Sequence, residues 1–140
     1  MIDYRQLVND LIRDEGMRLK PYVDSVEKTT LGVGRNLSDN GISEAEARLM
    51  LDNDITAATK DLNRNIPWWQ GLPEPARRGL VNMAFNLGWP RLSKFERMLA
   101  ALELESFDIA AAEALNSTWA RQVGEGRAER IAALFRQSQT

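Results

Sequence analysis

Helical periodicity runs through nearly the whole chain and fails in one place, between Met17 and Leu37, and that interruption does most to limit the fold. Before it, Tyr4, Leu7, Val8, Leu11 and Ile12 recur at steps of three and four behind Asp3, a good N-cap with Gln6 three places on, and Gly16 supplies a stop. Within it, Pro21, turn-forming residues from Asp24 to Lys28, and the β-prone Thr29, Thr30, Leu31 and Val33 predict a small hairpin or meander. An isolated hairpin is barely stable, so this one must lean on helices. Ser43 and Glu46 read as a capping box for a long helix with Ala47, Leu51, Ile55, Ala58 and Leu62 on one stripe. After IPWWQGLP, Pro75 sits in the first turn of a helix bearing Ala76, Leu80, Met83, Ala84 and Leu87, stopped by Gly88, and Trp89-Pro90 turns the corner. Ser93 with Glu96 predicts a cap for the next helix, to Leu104. An Ala-rich helix starts at Ser106 or Asp108, and Gly124 to Gly126 separates it from a last helix ending near Phe135. One small sheet set among helices is an α+β pattern, mostly helical.

The chemistry is limited by what is missing. The chain has 140 residues, enough for one domain with a real core, and 44% of them are hydrophobic. It contains no Cys and no His, which removes thiol nucleophiles, thiolate metal sites, and the commonest general base and metal ligand. Lys and Arg number 18 against 20 acids, so no overall field favours nucleic acid. Reaction must run on carboxylates, hydroxyls, Lys or Arg. The opening residues MIDYRQLVNDLIRDEG carry charges too closely spaced for a signal-peptide core or a membrane span, so the expectation is a chain made in the cytoplasm without stable membrane association.

Within DEGMRLKPYVDSVEKTTLGVG, Glu15 continues the apolar stripe of the first helix, four residues after Leu11. Partial burial and the negative helix terminus are both expected to raise its pKa, as a general acid requires. Asp24 follows in a polar turn with Ser25, where solvent and nearby N–H groups would keep it ionised. Two carboxyls pushed apart in pKa are the means by which glycosidases split acetals without His or metal. Thr30, opening the returning strand, could hold a water with its hydroxyl, and Gly32 and Gly34 let a ligand or another backbone approach closely. The plainer alternatives are a chance carboxylate pair, a bulge at the glycines and a threonine chosen for β propensity.

Glu15, eight residues, Asp24, five residues and Thr30, then Leu31-Gly32-Val33-Gly34, resemble the active-site motif of phage T4-type lysozymes. DEGMRLKPY, RRGLVNMAFNLG and STWARQVGEGRAERI resemble further blocks of that family, in the right order and over most of the chain. The resemblance implies hydrolysis of the β-1,4 bond between N-acetylmuramic acid and N-acetylglucosamine in bacterial peptidoglycan, with no cofactor and no metal. Glu15 would protonate the leaving oxygen, while Asp24 and Thr30 would activate a water on the opposite sugar face with inversion. That outcome calls for carboxyls roughly 7 to 9 Å apart rather than about 5 Å. By the same resemblance Phe85, Asn86 and Asn36 are substrate-binding candidates, and Arg127 forms a supporting ion pair with Glu15. Two departures stand out: Arg35 where the family commonly has His, implying a structural ion pair built differently, and Asn86 where Gln is common.

The implied architecture is a lysozyme-like, two-lobed single domain over 1–140. A small sheet lobe of about 14–64 and a helical lobe of 1–13 plus 65–140 are joined by the long helix, with the glycan in the cleft between them. The implied setting is phage host lysis by a monomer whose only macromolecular substrate is peptidoglycan, reached in the periplasm after a holin opens the membrane. A peptidoglycan-binding module without turnover and a glycosidase of chitin-like polymers remain open alternatives. Trp89 and Trp119 are expected in the core, whereas Trp68 and Trp69 are split between core and sugar platform.

Overall fold

A computed structural model describes residues 1–124 and 126–139. Of these described residues 68% are helical, with a small three-stranded antiparallel sheet, an α+β architecture. It falls into two compact units, residues 1–49 and 50–140.

In the first unit, α1 (Tyr4–Glu15) starts where Asp3 accepts the Gln6 N–H at 3.1 Å. It ends where Gly16 donates to the Ile12 carbonyl at 2.8 Å. Strands β1 (Arg18–Val23), β2 (Thr29–Gly32) and β3 (Arg35–Asn36) pair in that order. Pro21 has no N–H to give a ladder, so it is tolerated because β1 is an edge strand, and the pairing slips between Arg18 and Tyr22. The β1–β2 turn is closed by Asp24 N–H to Lys28 O at 2.9 Å and Glu27 N–H to Asp24 O at 3.1 Å, with Glu27 left-handed at φ 63°. A short hairpin loop that ends on a left-handed residue matches the twist of the flanking strands. A one-turn helix unannounced by periodicity, α2 (Leu37–Asn40), follows the sheet. The capping box forms: Glu46 N–H donates to Ser43 Oγ at 3.1 Å, and Ser43 N–H donates to Glu46 Oε1 at 2.8 Å, opening α3 (Glu44–Asn65).

The second unit holds the hydrophobic core. After a 3-10 turn (Pro67–Gly71) come α4 (Glu74–Leu87), α5 (Trp89–Leu92), α6 (Glu96–Glu103), α7 (Phe107–Leu115), α8 (Thr118–Gln122) and α9 (Arg127–Gln137). The packing centres on α9 against α4 and α7, and on α6 against α7. Ala110, Ala111 and Ala114 are fully buried, small enough for helices on both sides to approach α7 closely. Gly79 plays that part on α4, where a Cβ would stand 2.9 Å from the Phe135 ring.

Three local expectations are corrected. Ser93 does not cap α6; it closes α5, donating to Pro90 O at 2.8 Å, and α6 starts behind Phe95 with no side-chain cap. Trp89-Pro90 is itself helical, since Pro is welcome in a first turn. The Ala-rich helix stops at Leu115 because Ser117 accepts the Ala120 N–H at 3.1 Å and starts α8 anew. Trp69 and Trp119 are buried, and Trp68 and Trp89 pack half-buried on the same core.

Candidate active site

Glu15, Asp24 and Thr30 all belong to the first unit. Asp24 owes its place to the tight β1–β2 turn. Its Oδ1 accepts the N–H of Val26 at 2.9 Å and of Lys28 at 2.8 Å, folding the carboxylate back over its own turn. These donors favour the anion, above all Lys28 N–H, so the Asp24 pKa lies below the ordinary carboxylate value, with partial desolvation opposing the shift. With two donors on Oδ1, the oxygen open to further chemistry is Oδ2. Thr30 Oγ1 stands 3.4 Å from that oxygen and donates to Lys28 O at 3.1 Å. Thr30 sits on the middle strand, paired with Tyr22 on one side and Asn36 on the other, and is 4% exposed. It is the one buried residue among the described residues of this unit.

Glu15 is the last residue of α1 and is exposed, a correction to the partial burial expected from its place on the apolar stripe. The helix ends there, and the carboxylate lies against backbone instead of apolar side chains: a Cβ built on Gly34 would stand 2.7 Å from Glu15 Oε2 and 3.1 Å from Cδ. Gly34 lies between β2 and β3 at φ 68°. The next residue, Arg35, makes a bidentate pair with Glu46, Nη1 to Oε1 at 2.9 Å and Nη2 to Oε2 at 2.7 Å, and Nη1 also donates to Gly41 O at 3.1 Å. That network, with the Ser43 cap, holds the Glu46 pKa down to about 2, the Arg35 guanidinium being the largest cause. Asn36 spends both amide ends on α2: Oδ1 accepts Asp39 N–H at 3.0 Å and Nδ2 donates to Asp39 Oδ2 at 2.9 Å.

In the second unit, Asn82, Phe85 and Asn86 project from one side of α4 by their three- and four-residue spacing. Arg127, the first residue of α9, donates to Asn82 Oδ1 from Nε at 3.0 Å and from Nη2 at 2.8 Å. Asn86 Oδ1 accepts the indole N–H of buried Trp119 at 2.8 Å, which fixes the amide's orientation. Phe85 is 44% exposed and lines an open groove of about 550 Å³ with Leu51, Ile55, Val81, Asn82 and Arg127. An exposed aromatic beside a fixed arginine and two amides is a surface able to meet a sugar.

One member of this arrangement, Asn82, is not among the sequence candidates, and another, Gly34, has a different neighbour from the one expected. Asn82 stood in the block RRGLVNMAFNLG, and its four-residue step to Asn86 was the available signal. Gly34 was read as room for a ligand or another backbone; its neighbour is the Glu15 side chain, a long-range contact that spacing does not encode.

A family model described as "Phage lysozyme" matches residues 13–140. The pre-baseplate central spike protein Gp5 of Enterobacteria phage T4 is 28% identical over an alignment 153 positions long that covers 89% of this chain and 26% of that protein. This chain thus spans about a quarter of the spike protein's length. Probable T4-type lysozyme 2 of Dictyostelium discoideum is 24% identical over 158 residues, covering 91% of this chain and 92% of that one. The SAR-endolysin of Bacteriophage PS34 is 28% identical over 102 residues, 70% of this chain and 58% of that protein.

Proposed function

This chain belongs to the phage lysozyme family, and we propose that Glu15, Asp24 and Thr30 carry its hydrolysis of peptidoglycan. Membership makes it a glycoside hydrolase of lysozyme type. The bond cleaved is the β-1,4 link between N-acetylmuramic acid and N-acetylglucosamine. The observation that most supports this reading is the asymmetry of Asp24: one carboxylate oxygen is saturated by two backbone N–H groups, and the other faces the Thr30 hydroxyl. With its hydrogen given to Lys28 O, Thr30 Oγ1 keeps lone pairs that can accept from a water, and Asp24 Oδ2 can take the water's other proton as it attacks. Glu15, carrying the proton, delivers it to the leaving oxygen on the opposite face, and the anomeric carbon inverts.

Asn86 and Phe85 contact the glycan from α4, Arg127 contributes positive charge beside them, and Asn36 offers its remaining amide N–H. No helix among the described residues is long and apolar enough to cross a membrane. The similarity to a SAR-endolysin supports a part in host lysis. Passage of a monomer to the periplasm through a holin-opened membrane completes the reading.

The test is clearing of outer-membrane-permeabilised Gram-negative cells by the native chain and by Glu15→Gln. Rapid clearing, lost in a folded Glu15→Gln variant, with the α-anomer as first product by NMR, supports acid catalysis with inversion. Retention of the β-anomer would refute the roles given to Asp24 and Thr30. A folded native chain that binds cell walls without clearing them, or that prefers chitin oligomers, would refute the assignment of substrate.

A further inference from the structure

We infer that Gly34 is a positioning residue for the proton donor: its bare α-carbon is the surface against which the Glu15 carboxylate is set, and any side chain there would displace the reacting oxygen. The inference rests on the reading of Glu15 as the acid. A Cβ at position 34 would come within 2.7 Å of Oε2, 3.1 Å of Cδ and 3.3 Å of Cγ, so it would meet the whole end of the side chain rather than its tip alone. Carbon–oxygen contacts so short cannot be sustained, and Glu15, exposed at the end of its helix, is the partner free to move.

The backbone on the other side is held. Gly34 precedes Arg35, whose guanidinium is tied by three hydrogen bonds to Glu46 and to the Gly41 carbonyl, and β3 pairs with β2 at Leu31–Arg35 and Thr30–Asn36. The same short strand pairing thus joins the backbone beneath Glu15 to Thr30. A shift of about 1 Å in a catalytic group costs on the order of a hundredfold in rate. Gly34 is required twice over, since its φ of 68° is also one that side chains rarely adopt, and the two demands must be separated by experiment.

Gly41 supplies the control. It lies in the same unit at φ 60°, and a Cβ there would find nothing within 4 Å. Gly34→Ala and Gly41→Ala both impose backbone strain, but only the first meets Glu15. The expected result on soluble peptidoglycan fragments is a kcat about 10 to 100 times lower for Gly34→Ala, with KM within twofold of native and an altered basic limb of the kcat–pH profile. Gly41→Ala should keep kcat within about threefold when assayed well below its Tm. Glu15→Asp, which withdraws the carboxylate by one methylene, should lose little further when Gly34→Ala is added. Should Gly34→Ala fail to fold, Gly34→Asn carries the test, because Asn adopts left-handed backbone more readily and still brings a Cβ.

A folded Gly34→Ala with native kcat, while Glu15→Gln is inactive, overturns the inference and leaves the acid in place. Equal kcat losses in Gly34→Ala and Gly41→Ala also overturn it, because strain alone would then suffice. An active Glu15→Gln removes the reading on which it rests.

Discussion

Gly79→Ala sets two physical effects against each other at one atom. Gly79 lies inside α4, where replacing glycine by alanine normally stabilises a helix by about 1 kcal/mol. The new methyl, however, would stand 2.9 Å from Phe135 Cε1, 3.4 Å from Cδ1 and 3.5 Å from Ile131 Cγ2. A carbon pair is comfortable at about 3.5–4.0 Å, so the shortest contact is too close by roughly 0.6 Å or more. Phe135 is fully buried and Ile131 is 1% exposed, so the ring has no open space to swing into. Forcing a methyl into such a core costs about 1–3 kcal/mol. The clash therefore wins by about 1 kcal/mol on balance, a fall in Tm of roughly 3 °C for a chain of this size. Calorimetry on Gly79→Ala, Phe135→Leu and the double variant measures it. The double variant should be more stable than the sum of the single losses by about 1 kcal/mol, because the smaller side chain makes room for the methyl. A rise in Tm for Gly79→Ala alone, with additive behaviour in the double variant, would refute the argument that α4 and α9 meet through this glycine.

Other outcomes follow from single features. Glu27 and Glu105 hold left-handed backbone at φ 63° and 58°, so Glu27→Gly and Glu105→Gly should each stabilise the chain by about 0.5–1 kcal/mol in urea denaturation, whereas no gain would show the strain is relieved elsewhere. Glu46, whose pKa falls from 4.5 to about 2 in the folded chain, stabilises it fully above pH 4.5 and loses that contribution as pH drops toward 2. Glu46→Gln should accordingly flatten the decline of the urea midpoint between those values, and an unchanged slope would count against the Arg35 pair as its cause. Asn82→Ala unties Arg127 from α4 and should cost about 1.5 kcal/mol for the lost hydrogen bonding to a charged group, a fall in Tm of roughly 4 °C, together with slower cell-wall turnover; an unchanged Tm would show that the pair adds nothing to the fold.

Much of the site was legible because its determinants lie close together along the chain. The Asp3 cap, the Gly16 stop and the Ser43–Glu46 box each act over three or four residues, and all three form. The environment of Asp24 is equally local, made by N–H groups two and four positions away in its own turn. The same local logic failed at Ser93, where the pattern of a capping box was present but the helical turn over Trp89–Leu92 claimed the serine first. It also failed to foresee α2, whose single turn is too short to show a period.

What the amino-acid order determined by itself was therefore the longer helices, the caps at Asp3 and Ser43, the one break that becomes a sheet, and an ionised Asp24 beside Thr30. Tertiary structure alone decided which distant groups meet: Arg127 with Asn82 across 45 positions, Trp119 with Asn86 across 33, Phe135 with Gly79, and Glu15 with Gly34. A hydrogen bond within one turn follows from backbone geometry common to all chains. Contacts such as these depend instead on how whole helices and strands pack, and a glycine does not declare in sequence which neighbour its missing side chain makes room for.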